Sequence, residues 1–96
     1  MKILRTGIGF FNLENACKFD CYVSDEKNES GDTSFVVWLR IDSITEKLTS
    51  LESRKDAVLF AYEMIEELIV FASSLSTLVL MSDLKEHCLN KICEGA

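Results

Sequence analysis

The pattern of apolar and polar residues is most regular between Ser53 and Ala72, in the stretch SRKDAVLFAYEMIEELIVFA. The stretch contains neither glycine nor proline, and its alanine, leucine, glutamate and methionine residues favour helix. Ser53 followed three residues later by Asp56 is typical of a helix start, because the serine hydroxyl can accept from a free N–H group and the carboxylate lies at the positive end of the helix dipole. We therefore predict one long helix here.

The predicted helix is apolar over an arc of about 200°, about twice the width that a surface helix needs to cover one core. At about 100° per residue, the central stripe consists of Ala57, Val58, Ala61, Ile65, Leu68, Ile69 and Ala72, widened by Phe60, Met64 and Phe71 on one side and by Tyr62 on the other. Leu59 and Val70 project into the acidic arc opposite. Such a helix needs two covers, which are a sheet and either the C-terminal segment or a second copy of the chain. We expect a homodimer.

Two segments before the helix alternate with the period of two that is typical of half-buried strands. They are residues 16–24 and 33–42, and the polar residues 25–32 between them predict a hairpin with an acidic tip. The side chains predicted to face the core are Cys17, Phe19, Cys21 and Val23 in the first strand and Phe35, Val37, Leu39 and Ile41 in the second.

The remaining segments complete an α+β fold. Residues 2–11 are predicted as one strand, bent or bulged at its two glycines. Residues 44–51 form either a fourth strand or a bridging turn, and residues 73–81 are either a strand or a resumed helix. Residues 83–93 are a last helix. We predict an antiparallel β-meander of three to four strands, packed on one face by the long amphipathic helix and the shorter C-terminal helix.

Size and charge narrow the classes of function. Ninety-six residues form a single domain, predicted to span residues 1–96, and a domain of this size buries only about 60–65% of its unfolded surface. Because 48% of the residues are hydrophobic, oligomerisation or a dedicated partner is favoured. The net charge of −6 disfavours bulk binding to duplex nucleic acid or to an anionic membrane, and suits a basic protein partner.

The cysteines and the single histidine predict no active site. The start of the chain does not resemble a secretory signal, so we expect a cytoplasmic protein with reduced thiols. Cys17 and Cys21 would lie about 13 Å apart along a strand, too far to share zinc, and Cys88 and Cys93 would lie on divergent faces of a helix. No phosphate-loop, dinucleotide or nucleophile-elbow pattern is present. We predict no enzyme activity, metal or cofactor, the alternative being a cysteine nucleophile assisted by His87.

Two acidic features are predicted to contact a partner. The simpler interpretation is that both are solvated surface. Under the same interpretation, Glu67 on the helix is also solvated. The functional interpretation is that charge steers the partner and interspersed apolar groups provide affinity. The residues expected to make contact are Asp25, Glu26, Glu29 and Asp32 at the hairpin tip and Leu59, Glu63, Glu66 and Val70 on the helix.

The sequence thus predicts a small acidic protein–protein interaction module that binds and inhibits, or scaffolds, a larger protein with a basic surface. Inhibitors, immunity proteins, antitoxins and phage counter-defence proteins commonly have this size and charge. The alternative is a single-stranded nucleic-acid-binding protein whose aromatic and basic residues share the outer face of the sheet. Those residues are Arg5, Lys18, Tyr22, Trp38 and Arg40.

Overall fold

The computed structural model describes residues 2–14 and 18–94. Its elements in chain order are β1 (Ile3–Thr6), β2 (Gly9–Asn12), β3 (Phe19–Lys27), β4 (Thr33–Ile41), β5 (Ile44–Leu51), α1 (Arg54–Ser73), β6 (Leu78–Leu80) and α2 (Met81–Glu94). The predicted α+β class is confirmed, with a meander, a second small sheet and two helices.

The main sheet is the antiparallel meander β3-β4-β5. The predicted hairpin is present, but β3 continues to Lys27, so the loop at its tip is shorter than the predicted residues 25–32. Residues 44–51 were predicted as either a strand or a bridging turn, and they form a strand along their whole length. The turn before it places Asp42 in the left-handed region, at φ 54°, which aspartate tolerates better than most residues.

The inward faces of the hairpin strands pack as predicted. Val37, Leu39 and Ile41 are buried in the core, and Phe19, Cys21, Val23 and Phe35 pack against it. Cys17 lies outside the described residues. The alternation of apolar residues along these strands therefore identified the core face correctly.

The prediction of a single strand over residues 2–11 is wrong, because the chain reverses at Gly7 and Ile8. β1 pairs with β2 in antiparallel fashion, with Thr6 opposite Gly9. The Thr6 hydroxyl stabilises this turn by accepting from the Ile8 N–H at 3.2 Å. On its other edge β1 pairs in parallel with β6, so residues 78–80 of the undecided segment form a strand.

A backbone contact at Gly7 joins the small sheet to the meander. The Gly7 N–H donates to Oε1 of Glu46 on β5 at 3.0 Å. A Cβ atom at this position would lie 3.3 Å from the same oxygen, which is tighter than ordinary van der Waals contact. Glycine therefore lets the Glu46 carboxylate reach this backbone N–H without being displaced.

α1 has the predicted cap. The Ser53 hydroxyl accepts from the Asp56 N–H at 3.3 Å. At the other end, the last turn contains no basic residue, and Lys2, just before β1, supplies the missing cation. Its ammonium group donates to the carbonyls of Ser74 and Ser76 and lies 5.4 Å from the centre of the Phe71 ring. Lys2 thus stabilises the negative end of the helix.

The buried face of α1 is rotated away from the predicted stripe. Its buried residues are Ala57, Phe60, Ala61, Met64, Leu68 and Phe71. Ile69, predicted to lie in the stripe, is 52% exposed, and Ala72 is exposed as well. The reason is that α2 packs on the side of α1 that carries Phe60 and Met64, so the second cover lies on that side.

α2 also changes the environment of two carboxylates. Lys91 approaches Glu63 at 3.2 Å, and His87 approaches Glu67 at 3.1 Å. The interpretation of Glu63 and Glu67 as simple solvated surface is therefore wrong, because both are half-buried and paired with α2. The apolar side of α2 buries Leu84 and Cys88.

Candidate partner-binding surfaces

The acidic hairpin tip is an ordered projection. Asp25 and Glu26 lie near the end of β3, and Glu29 and Asp32 belong to the loop; all four are exposed. Asn28 organises that loop, since its side-chain oxygen accepts from the Asp32 N–H at 2.9 Å and its backbone N–H donates to the Asp32 carbonyl at 3.0 Å. The structure thus brings the four predicted contact residues together at one end of the molecule.

The tip keeps most of its negative charge. Lys47 on β5 approaches Glu26 at 3.9 Å, but both side chains are more than half exposed. An ion pair in such an exposed position contributes little energy and is readily exchanged for another. The carboxylates of the tip are therefore available to cations on another molecule.

The predicted helix surface is a stripe along α1. Leu59, Glu63, Glu66 and Val70 follow one another at spacings of four, three and four residues, which places them on one side of a helix. Leu59 is 43% exposed and Val70 61% exposed. Glu63 is held by Lys91, and Leu59 and Glu63 border a depression of about 260 Å³ beside α2. The stripe thus combines exposed apolar groups with carboxylates.

A second exposed apolar surface on α1 was not identified as a site from the sequence. Tyr62 is 68% exposed and Ile69 52% exposed. Between this side of α1 and β3 lies a groove of about 450 Å³, hereafter the β3–α1 groove. Its lining residues are Cys21, Tyr22, Val23, Arg54, Val58, Ala61, Tyr62 and Ile65. The spacing of apolar residues identified these side chains as apolar positions of the helix. Which of them stay exposed depends on the rotation of α1.

The outer sheet face holds only part of the predicted nucleic-acid surface. Tyr22, Trp38 and Arg40 lie side by side on β3 and β4, and Lys18 directly precedes β3. Arg5 lies on β1 in the small sheet, with its guanidinium 5.5 Å from the centre of the Phe10 ring. The five residues therefore do not form one continuous face of a single sheet.

The groups on this face already interact with one another. The rings of Tyr22 and Trp38 are stacked, with centroids 6.5 Å apart and planes inclined by 17°. The Trp38 indole N–H donates to the Ser24 hydroxyl at 2.7 Å. Arg40 donates to Asp20 at 2.9 Å, a hydrogen bond that raises the pKa of Arg40 above its ordinary value. Bases and phosphates would have to compete with these contacts.

The described cysteines differ in accessibility. Cys88 is fully buried and Cys93 is exposed. Burial raises the pKa of both Cys21 and Cys88 to about 12, with smaller contributions from nearby acidic groups. Both thiols are therefore protonated at neutral pH and are poor nucleophiles. Within residues 2–14 and 18–94, His, Cys, Asp and Glu side chains form no group of three or more that could hold a metal ion.

Comparison with known proteins identifies no relative. The chain matches no family model, no curated protein and no solved structure. In the described part of the chain, neither helix is both long and apolar enough to cross a membrane. The chemistry of the exposed surfaces is therefore the basis for assigning a function.

Proposed function

We propose that this protein is a non-enzymatic interaction module that binds a larger protein with a basic surface and inhibits or scaffolds it. The observation that carries the proposal is the exposure of large apolar side chains on α1 in a protein with a net charge of −6. The exposed side chains are Leu59, Tyr62, Ile69 and Val70.

The two kinds of surface have complementary roles in binding. Carboxylates accelerate encounter with a basic partner, because electrostatic steering raises association rates. Apolar groups contribute affinity when contact removes them from water. The hairpin tip supplies the first property, and the Leu59–Val70 stripe supplies both.

The shape of the tip suggests how inhibition would occur. A narrow hairpin that carries Asp25, Glu26, Glu29 and Asp32 fits a basic groove better than a flat surface. Such a groove normally accepts an anionic ligand, and an ordered row of carboxylates would occupy it in place of phosphate groups. The tip would therefore block the groove, while the helix stripe holds the partner beside it.

We further propose that the module works as a homodimer in the cytoplasm. The exposed apolar surface on α1 supports self-association, since such surface favours contact with another molecule. A reducing compartment suits free thiols, and Cys21, Cys88 and Cys93 are all free.

Binding of single-stranded nucleic acid by the outer sheet face is the competing proposal. The stacked pair of Tyr22 and Trp38 is the feature in its favour, because aromatic rings offer platforms for bases. Against it, Arg40 is paired with Asp20 and the whole chain is acidic. Titration with oligonucleotides at low salt decides between the two, since a nucleic-acid binder would bind tightly and lose affinity as salt increases.

Affinity purification from the native host tests the leading proposal. The tagged protein is expected to retain a larger basic protein that is released as the salt concentration of the wash increases, because salt screens the charges. A matched bait with Leu59→Ser and Val70→Ser should retain less of that protein at the same salt. Failure of both baits to retain any basic protein would contradict the proposal.

A further inference from the structure

No strand formed by residues 2–14 or 18–94 pairs with the outer edge of β3. β3 is an outer strand of the meander and pairs only with β4 among the described residues. The carbonyl of Lys18, just before β3, accepts from the Asp42 N–H at 2.8 Å, and the Lys18 N–H donates to Oδ1 of the Asp42 side chain at 3.0 Å. Because antiparallel ladders alternate, the even-numbered residues of β3 bond to β4 and the odd-numbered ones direct their N–H and C=O groups to the open edge. Such an edge can accept another strand.

α1 presents a seam beside this edge. Five apolar residues follow one another at alternating spacings of four and three residues, which is the heptad spacing by which one helix packs on another. They are Val58, Tyr62, Ile65, Ile69 and Ala72. Val58, Tyr62 and Ile65 line the β3–α1 groove. The groove is thus bordered by a strand edge on one side and a helix-packing seam on the other.

We propose that a second copy of this chain covers the β3–α1 groove, and this inference rests on the homodimer in the proposed function. A twofold rotation would set β3 antiparallel to β3 of the partner subunit and α1 antiparallel to the partner's α1. One rotation would satisfy both features and join two meanders into a six-stranded sheet. An extended peptide from another protein would fill the strand edge but leave most of the helix seam in water.

Charge complementarity selects a register. With the axis at Tyr22, Lys18 lies opposite Glu26 of the partner subunit, and Asp20 lies opposite Ser24 of the partner subunit. Opposite charges directly across two strands are stabilising, whereas like charges are destabilising. An axis at Val23 would instead set Asp20 against the partner's Glu26. The dimer is therefore assigned the axis at Tyr22.

The antiparallel helices give a second charge match. The last turn of α1 contains no basic residue, and Arg54 is the first residue of the helix, at the groove. In the dimer, Arg54 of one protomer approaches the C-terminal end of the partner's α1, where a cation is stabilising. It would reinforce Lys2, which binds the same end within each protomer.

The dimer would leave the helix stripe and the loop residues Glu29 and Asp32 of each tip free, whereas Glu26 would face Lys18 of the partner subunit. The two strands run in opposite directions, so the two acidic tips lie at opposite ends of the six-stranded sheet. Val70 follows Ile69 by one residue, which is about 100° around the helix, so the Leu59–Val70 stripe stays outside the seam. The dimer would then present two equivalent tips to basic partners, and avidity would strengthen binding to a partner with two grooves.

The mass of the protein in solution, measured for single variants at two adjacent residues of α1, tests the proposed interface. Light scattering after size exclusion is expected to give twice the 10.9 kDa chain mass for the wild type and for Val70→Glu. Ile69→Glu is expected to give the chain mass. The two residues are matched, with exposures of 52% and 61%, so both variants should fold, which circular dichroism checks. Tyr62→Glu, at a site 68% exposed, repeats the test and should also be monomeric.

The opposite results would overturn the inference. A wild-type protein that is monomeric at every concentration would show that a second copy of the chain does not cover the β3–α1 groove. A dimer that survives Ile69→Glu and Tyr62→Glu, or that Val70→Glu dissociates, would lie on another face. A monomeric wild type would also contradict the proposed homodimer, but capture of the basic partner is tested separately, because Val70→Glu should weaken that capture without changing the mass.

Cross-linking tests the register. Tyr22→Cys sets two thiols across the axis in a pair without hydrogen bonds, where Cα atoms lie about 4.5 Å apart and a disulfide can form. Mild oxidation is expected to give a covalent dimer in high yield. Thr45→Cys places a thiol at an exposed position on β5, at the opposite edge of the meander. Its yield of covalent dimer should equal that of the oxidised wild type, which controls for the native thiols. Equal yields from the two variants would contradict the assigned strand pairing.

Discussion

Reversing Asp25, Glu26 and Glu29 to lysine together is expected to reduce the association rate with the basic partner at least about tenfold at low salt, because steering by charge changes such rates by about 10–1,000-fold. The three side chains are exposed at one end of the molecule, so the substitutions leave the core intact. The measurement is surface plasmon resonance against the purified partner at several salt concentrations. The difference from the wild type should shrink as salt increases.

A matched variant separates the tip from the overall charge. Each reversal adds two positive charges, so three of them bring the net charge from −6 to zero. Reversal of Glu14, Asp83 and Glu86 makes the same change outside the hairpin, and should slow association much less. If both triple variants slow association equally, the acidic tip does not bind the partner and only the overall charge matters.

Phe60→Ala is expected to lower the free energy of unfolding by about 3–5 kcal/mol, the usual cost of removing a buried aromatic ring and leaving a cavity. Phe60 is 0% exposed and lies on the side of α1 that α2 covers. A domain of this size has a total stability of only about 5–15 kcal/mol, so the variant should lose much of it. Urea denaturation monitored by circular dichroism measures the change.

Leu59→Ala is the control for Phe60→Ala. The neighbouring Leu59 is 43% exposed, so its truncation should change the free energy of unfolding by less than about 1 kcal/mol. Both variants should be measured at the same protein concentration, since association would stabilise the folded state. Equal losses from the two substitutions would contradict the orientation assigned to α1.

Strong local patterns predicted the elements of the fold well. The alternation along β3 and β4 identified the face that packs against α1, although Val36 on the opposite face is also buried. The cap at Ser53 fixed the start of α1. The first segment was harder, since two short strands joined at Gly7 and Ile8 have the same composition as one bent strand. Its pairing with β6 is a contact between distant segments, which local periodicity does not contain.

The candidate surfaces depended on tertiary packing. The acidic tip is local in sequence, so its four carboxylates could be grouped in advance. The orientation of α1 depends on where α2 packs, and the apolar arc was too wide to specify it. As a result Leu59 and Val70 were anticipated as exposed, whereas Ile69 was expected to lie in the main stripe. The pairing of Glu63 with Lys91 likewise depends on the position of α2.

Binding of a larger basic protein by the acidic tip and the helix stripe is the central claim, and zero-length carboxylate–amine cross-linking of the complex purified from the native host tests it most directly. We predict cross-links from Asp25, Glu26, Glu29 or Asp32 to lysines of a larger protein, identified by mass spectrometry. Cross-links to that protein that exclude all four residues, or the absence of any cross-linked protein, would contradict the account.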